Sequence, residues 1–186
     1  MHRCMLGLFV FLAISGCSKS LPHDDTSVLA AKPAAPVDPE HALYEQVRSG
    51  AYQISSAIDS IEDVRKTAKQ MASHQAGSTK KALLTIEKGL DDAGDALSDY
   101  SDDPPPFDEF KKEFAVQDDR RLKAIAAGTA SLVALNNAQD LLDDLIDSHP
   151  PEPMKTELDN ADSAMDECIQ AVEEAVKAMG GKVASL

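Results

Sequence analysis

The sequence predicts an all-α fold: an antiparallel up-down-up-down four-helix bundle behind a disordered N-terminal tether. Three observations predict it. After residue 40, apolar and small residues recur in alternating steps of four and three, the spacing of one helix face. No stretch alternates apolar and polar residues at the period of two that a half-buried strand needs. Pro-rich breaks join the periodic segments by short connections, which favours folding back within one chain over one long coiled coil.

The first helix is expected over about 41–74, with Leu43, Val47, Gly50, Ile54, Ala57, Ile61, Val64, Ala68 and Met71 on its seam. Asp38-Pro39-Glu40 supplies a start signal, because Pro is tolerated in the first turn, where its missing N–H has no intrahelical partner. Ala76-Gly77-Ser78 interrupts the pattern, and Ser78 or Thr79 is the expected N-cap of a second helix over about 79–100. Its seam is Leu83, Ile86, Leu90, Ala93, Leu97 and Tyr100, and Asp102-Asp103-Pro104-Pro105-Pro106 ends it. The third helical region covers 107–148. Phe107, Phe110 and Phe114 open it on one face, and a break near 117 is left open by the charged run Asp118-Asp119-Arg120-Arg121. Leu122, Ile125, Ala126, Thr129, Leu132, Val133, Leu135, Ala138, Leu142, Leu145 and Ile146 then form a face broad enough to be covered on more than one side. After Pro150-Pro151-Glu152-Pro153 a fourth helix is expected over 153–179, with Met154, Leu158, Ala161, Met165, Cys168, Val172, Ala175 and Met179 on its seam. Gly180-Gly181 closes it, the bundle domain runs over 41–181, and 182–186 is a tail.

The first sixteen residues differ in kind. Arg3 precedes an apolar run of about ten residues, too short for a spanning helix, which needs roughly 20. The run ends in Ile14-Ser15-Gly16-Cys17, which resembles the bacterial lipobox at every position: an aliphatic residue, a small one, Gly or Ala, then Cys. The resemblance implies a signal peptide over 1–16, cleavage between Gly16 and Cys17, and diacylglycerol on the Cys17 thiol, with acyl chains such as palmitate as the membrane contact. Ser18 stands where the inner-membrane retention signal of Gram-negative lipoproteins has Asp, so the implied address is the outer membrane, facing the periplasm. In a Gram-positive cell the address is the outer face of its one membrane. Residues 17–40 comprise the lipidated cysteine and a linker rich in Pro, Ala, Ser and Asp. A coil of that composition has a mean span on the order of 27 Å, from about 5–6 Å times the square root of its length.

Eighteen Lys and Arg face 32 Asp and Glu, a net charge of -14. Cleavage removes Arg3 and leaves 17 against 32, a net of -15. That balance argues against nucleic acid and against electrostatic attraction to anionic lipid. With Cys17 lipidated, Cys168 has no intramolecular partner and reads as a small buried apolar residue. The Glu-x-x-His pairs of di-iron bundles, the Cys-x-x-Cys-His of covalent haem, calcium loops, Gly-rich phosphate loops and the nucleophile and zinc-protease motifs do not occur. The sequence therefore predicts no catalytic residues and no resident cofactor.

Up-down topology gathers Met71, His74, His149 and Met154 at one pole. Thioether and imidazole together suit copper, and one His with one Met can hold non-covalent haem. Periplasmic four-helix cytochromes are similar in donor types but place Met on the first helix and His on the last, whereas here the last helix has no His. The function expected is a lipid-anchored envelope lipoprotein displaying a helical binding module for a protein partner. The alternative is a small-ligand carrier, for copper or haem, at that pole.

Overall fold

The computed structural model describes residues 38–183. The signal peptide, the Gly16/Cys17 cleavage site, lipidation of Cys17, most of the linker and residues 184–186 lie outside the described residues. Every regular element among the described residues is a helix.

Helix α1, Pro39–Ser73, starts where sterics and hydrogen bonding allow it. Asp38 is extended, its Oδ1 accepts the Glu40 N–H at 3.0 Å, and Pro39 occupies the first helical position. All nine seam residues from Leu43 to Met71 are buried, together with Ala51 and Ala72. Helix α2, Gly77–Ser98, buries Leu83, Ile86, Leu90, Ala93 and Leu97, while Tyr100 packs half-buried beyond its end. Neither Ser78 nor Thr79 is its N-cap. The helix begins earlier, after an extended Ala76, and no side chain bonds its first N–H groups. Gly77 makes the turn at φ 64°, a value that a glycine adopts without strain, so the backbone rather than a hydroxyl sets this boundary.

The third region divides differently from expectation. A short helix α3, Phe107–Phe110, passes through a 3-10 turn at Lys111–Glu113 into α4, Phe114–Asp147. The break therefore falls at 111–113, not near 117. The charged quartet does not interrupt the helix: Asp118, Asp119 and Arg121 pair along it, and Arg120 donates to the Asp99 and Asp102 carbonyls beyond α2. Arg121 donates to Asp118 at 2.9 Å, and Lys123 lies 2.7 Å from Asp119. Helix α5, Met154–Ala178, buries every expected seam residue except half-buried Met154. It ends in a Schellman turn: Gly180, at φ 81°, donates to Lys177 O and Gly181 to Val176 O, both at 2.9 Å.

The face expected on α4 is corrected most. Leu122 and Val133 are 52% and 53% exposed, and Ala126 and Thr129 face solvent. Leu132, Leu135, Ala138, Leu142 and Leu145 are buried as expected, and the buried seam extends back through Ser131, Gly128, Ala124 and Gln117, with half-buried Arg121 completing its four-three spacing. Small residues occupy its first half because α5 comes close there. A Cβ on Gly128 would stand 2.5 Å from Cγ2 of Val176. Ser131 donates to Ala93 O on α2 at 2.9 Å, so its hydroxyl is satisfied inside the core.

The four long helices form a ring in which α1 packs along α2 and α5, and α4 packs along the same two. Their seams share one continuous core that includes Ile61, Leu90, Leu135 and Met165. Burying each such side chain contributes about 1.5–3 kcal/mol. A smaller cluster of Leu43, Val47 and Phe110 lies where α3 meets the start of α1. Between α1 and α2, Arg65 donates to Glu62 at 2.6 and 2.9 Å and lies 3.3 Å from Asp91. The Arg65 hydrogen bond holds the Glu62 carboxyl below its ordinary range.

Candidate functional site

The helix ends bring the four pole residues to adjoining clefts. His74, His149 and Met154 line an open cleft of about 630 Å³ whose wall includes Pro150, Pro151 and Pro153. Met71 and His74 line its neighbour, of about 370 Å³, with Glu157 common to both. The side chains nevertheless differ in exposure. Met71 is buried in the core, Met154 is half-buried, and both imidazoles face solvent. His149 has a φ of 56°, and its Nδ1–H donates to Asp147 O at 2.5 Å, which leaves Nε2 as its free ring nitrogen. Among the described residues, no three His, Cys, Asp or Glu side chains come close enough together to hold a metal ion.

Cys168 takes no part in this pole. Its thiol lies fully buried between helices, and burial, reinforced by the Glu167 and Asp63 charges, pushes its pKa up to about 12. A thiol so shielded is a poor nucleophile at neutral pH.

At the opposite pole aromatic rings close the bundle. Tyr44 of α1 packs edge-on to Phe110 with ring centres 5.2 Å apart, and His41 stands against Phe107 at the same separation. The ammonium of Lys111 sits 5.0 Å from the Phe107 ring centre. The spacing of Phe107, Phe110 and Phe114 marks an apolar face, but the rings that meet it come from α1, which periodicity within one helix does not reveal.

The outward face of α4 has the most distinctive chemistry. From Ala124 through Gln139, sixteen residues, the chain carries no Asp, Glu, Lys or Arg. The longest such run in α1 is ten residues, Ser49–Ile58. Arg120 and Lys123 flank the α4 run on one side, and Asp140 and Asp143 on the other. Leu122, Ala126, Thr129, Ala130 and Val133 lie exposed along this face. Sequence reasoning assigned most of them to the core, because hydrophobicity alone points to this side of the helix. The signal that separates the two faces is the strict four-three spacing running through Gln117, Arg121, Ala124, Gly128 and Ser131.

Comparison with family models, curated proteins and solved structures finds no match to this chain. No helix among the described residues is long and apolar enough to cross a membrane.

Proposed function

We propose that this protein is a bacterial lipoprotein of the cell envelope, anchored through lipid on Cys17, whose helical bundle presents the outward face of α4 to a protein partner. The observation that carries the binding role is that face: Leu122 and Val133 are more than half exposed on it, and Val133 lies within a run of sixteen residues without charge, on a chain of net charge -14. Exposed apolar patches bounded by charge mark interaction surfaces. The anchor rests on the lipobox resemblance of Ile14-Ser15-Gly16-Cys17.

We further infer that the four long helices run alternately up and down. Cross-helix neighbours support this, since residue numbers rise on one helix as they fall on the next. Arg65 and Lys69 meet Asp91 and Glu87 respectively. Ala93 meets Ser131, and Gly89 lies beside Ala138. Gly128 lies against Val176, and Gln139 donates to Asp162.

Two measurements on the full-length protein test the reading. Cys17→Ser moves the protein from the membrane to the soluble fraction; retention on the membrane to the wild-type extent rejects the anchor. A photo-reactive residue at Val133 forms protein adducts in the envelope that the same residue at Asp59 on α1 does not. Equal or absent adducts at the two positions reject the binding role.

The second reading, a carrier of copper or non-covalent haem, draws on the cleft shared by His74, His149 and Met154, with Met71 beside it. Metal analysis and an absorbance scan for a Soret band on the purified protein decide it.

A further inference from the structure

We propose that residues 102–113 form a strap across the Pro39 end of the bundle, which opens as a unit while the four long helices stay folded and so gates the apolar recess of Leu43, Val47 and Phe114. The buried side chains divide at that end. Leu43, Val47 and Phe110, with Tyr44 and Phe114 packed against them, form a cluster apart from the main core. The residues between the two explain the division. On α1, Gly50 and Ala51 separate Val47 from Ile54 and offer at most a methyl group. On α4, the seam positions between Phe114 and Ala124 are Gln117 and Arg121, an amide and a guanidinium. Arg121 donates to Asp118 at 2.9 Å and to Met179 O at 2.6 Å, polar contacts that do not extend the apolar core. Opening of the small cluster therefore leaves the large one in place.

The strap has few attachments. Of its twelve residues, Pro104 and Phe110 are buried. Its own backbone bonds are local: the Glu109 and Phe110 N–H groups both donate to Pro106 O, at 2.9 and 3.0 Å. Beyond its junctions with α2 and α4, one side-chain hydrogen bond ties it to the bundle among the described residues, from Arg120 Nη2 to Asp102 O, long at 3.4 Å. The rest is packing. Phe110 is fully buried, and the Phe107 and Phe110 rings lie 5.2–5.3 Å from those of His41 and Tyr44. The 3-10 turn at Lys111–Glu113 supplies a hinge, and α4 starts after it with no side-chain cap to lose. Opening also relieves a cost. Gln117, one turn beyond Phe114, is 5% exposed, and its Oε1 accepts no bond from a protein donor among the described residues. Water admitted beneath the strap can donate to it.

Thiol labelling of the full-length protein in graded urea tests the strap. Val47 lies in the small cluster and Leu135 in the main core, so Val47→Cys and Leu135→Cys follow the two openings separately. Below the unfolding midpoint, Val47→Cys reacts with a maleimide at a rate nearly independent of urea, about tenfold or more faster than Leu135→Cys, whose rate climbs steeply because it awaits global unfolding. Phe110→Ala raises the Val47→Cys rate several-fold and leaves that of Leu135→Cys unchanged. Mass spectrometry assigns each adduct to its residue, which separates these thiols from Cys168. Equal rates with equal urea dependence overturn the proposal, as does a Phe110→Ala that speeds both sites alike. Hydrogen exchange on the unsubstituted chain tests the same point without a buried substitution. Amides of 109–113, around buried Phe110, exchange by a route insensitive to urea, while those of 54–71 follow global unfolding. A single urea-sensitive route for both sets overturns the strap.

Discussion

Gly128 lacks a side chain because Val176 fills the space where one would go. Gly128→Ala should lower stability by about 1–3 kcal/mol from overpacking, offset in part by roughly 1 kcal/mol of better helix propensity. Urea unfolding measures the loss, and Val176→Ala in the same chain should recover most of it; an unchanged midpoint for Gly128→Ala alone would show that α5 can move away. Cys168 is the other residue whose surroundings fix its behaviour. Its ordinary pKa of 9.0 rises to about 12 in the fold because burial opposes the thiolate. The folded state therefore holds the proton more tightly than the unfolded chain. That contribution is fully present below pH 9 and is lost as pH rises from 9 toward 12. Lys88, Lys123 and Lys155, each raised by a carboxylate partner, lose stabilisation in the same direction above their ordinary 10.5. Cys168→Ala isolates the thiol: the variant should show a shallower decline between pH 9 and 10.5 than the wild type. Identical pH profiles would mean that the thiol reaches water.

At the scale of the element, α1 and α4 show what a periodic pattern can reveal. Every seam position of α1 is apolar or glycine, so hydrophobicity and spacing mark the same face, and that face is buried. On α4 they conflict. The buried seam begins with Gln117, Arg121, Ala124, Gly128 and Ser131, whereas Leu122 and Val133 face out. Packing contacts with α5 and a hydroxyl bond to Ala93 make small or polar residues suitable inside, and neither partner is visible within α4 itself. A paired substitution measures the difference. Leu90→Asp puts a charge at a position with no solvent exposure and should cost several kcal/mol, whereas Leu122→Asp should change stability by about 0.5 kcal/mol or less. Comparable losses in thermal unfolding would show that Leu122 belongs to the core after all.

For the whole molecule, the fold class and the division into four long helices could be read from spacing and proline breaks, because both are local properties. The pole shared by Met71, His74, His149 and Met154 could be placed from topology. Their exposure could not, since it depends on how the connecting loops fold: His149 reaches φ 56° and its ring bonds the backbone of Asp147. The α4 face was hidden for the opposite reason. It is apolar enough to look like core, and only the ring of neighbours around α4 shows which side is already occupied.

The seam of α1 also determines a shape. Ala57 and Met71 are two heptads apart, and a straight α-helix drifts about 20° per heptad, so about 40° would separate their directions. Both are buried in the same core. An unbroken seam of that spacing favours left-handed winding of the helices, and inserting a residue into α1 would rotate everything beyond it by about a hundred degrees out of the core.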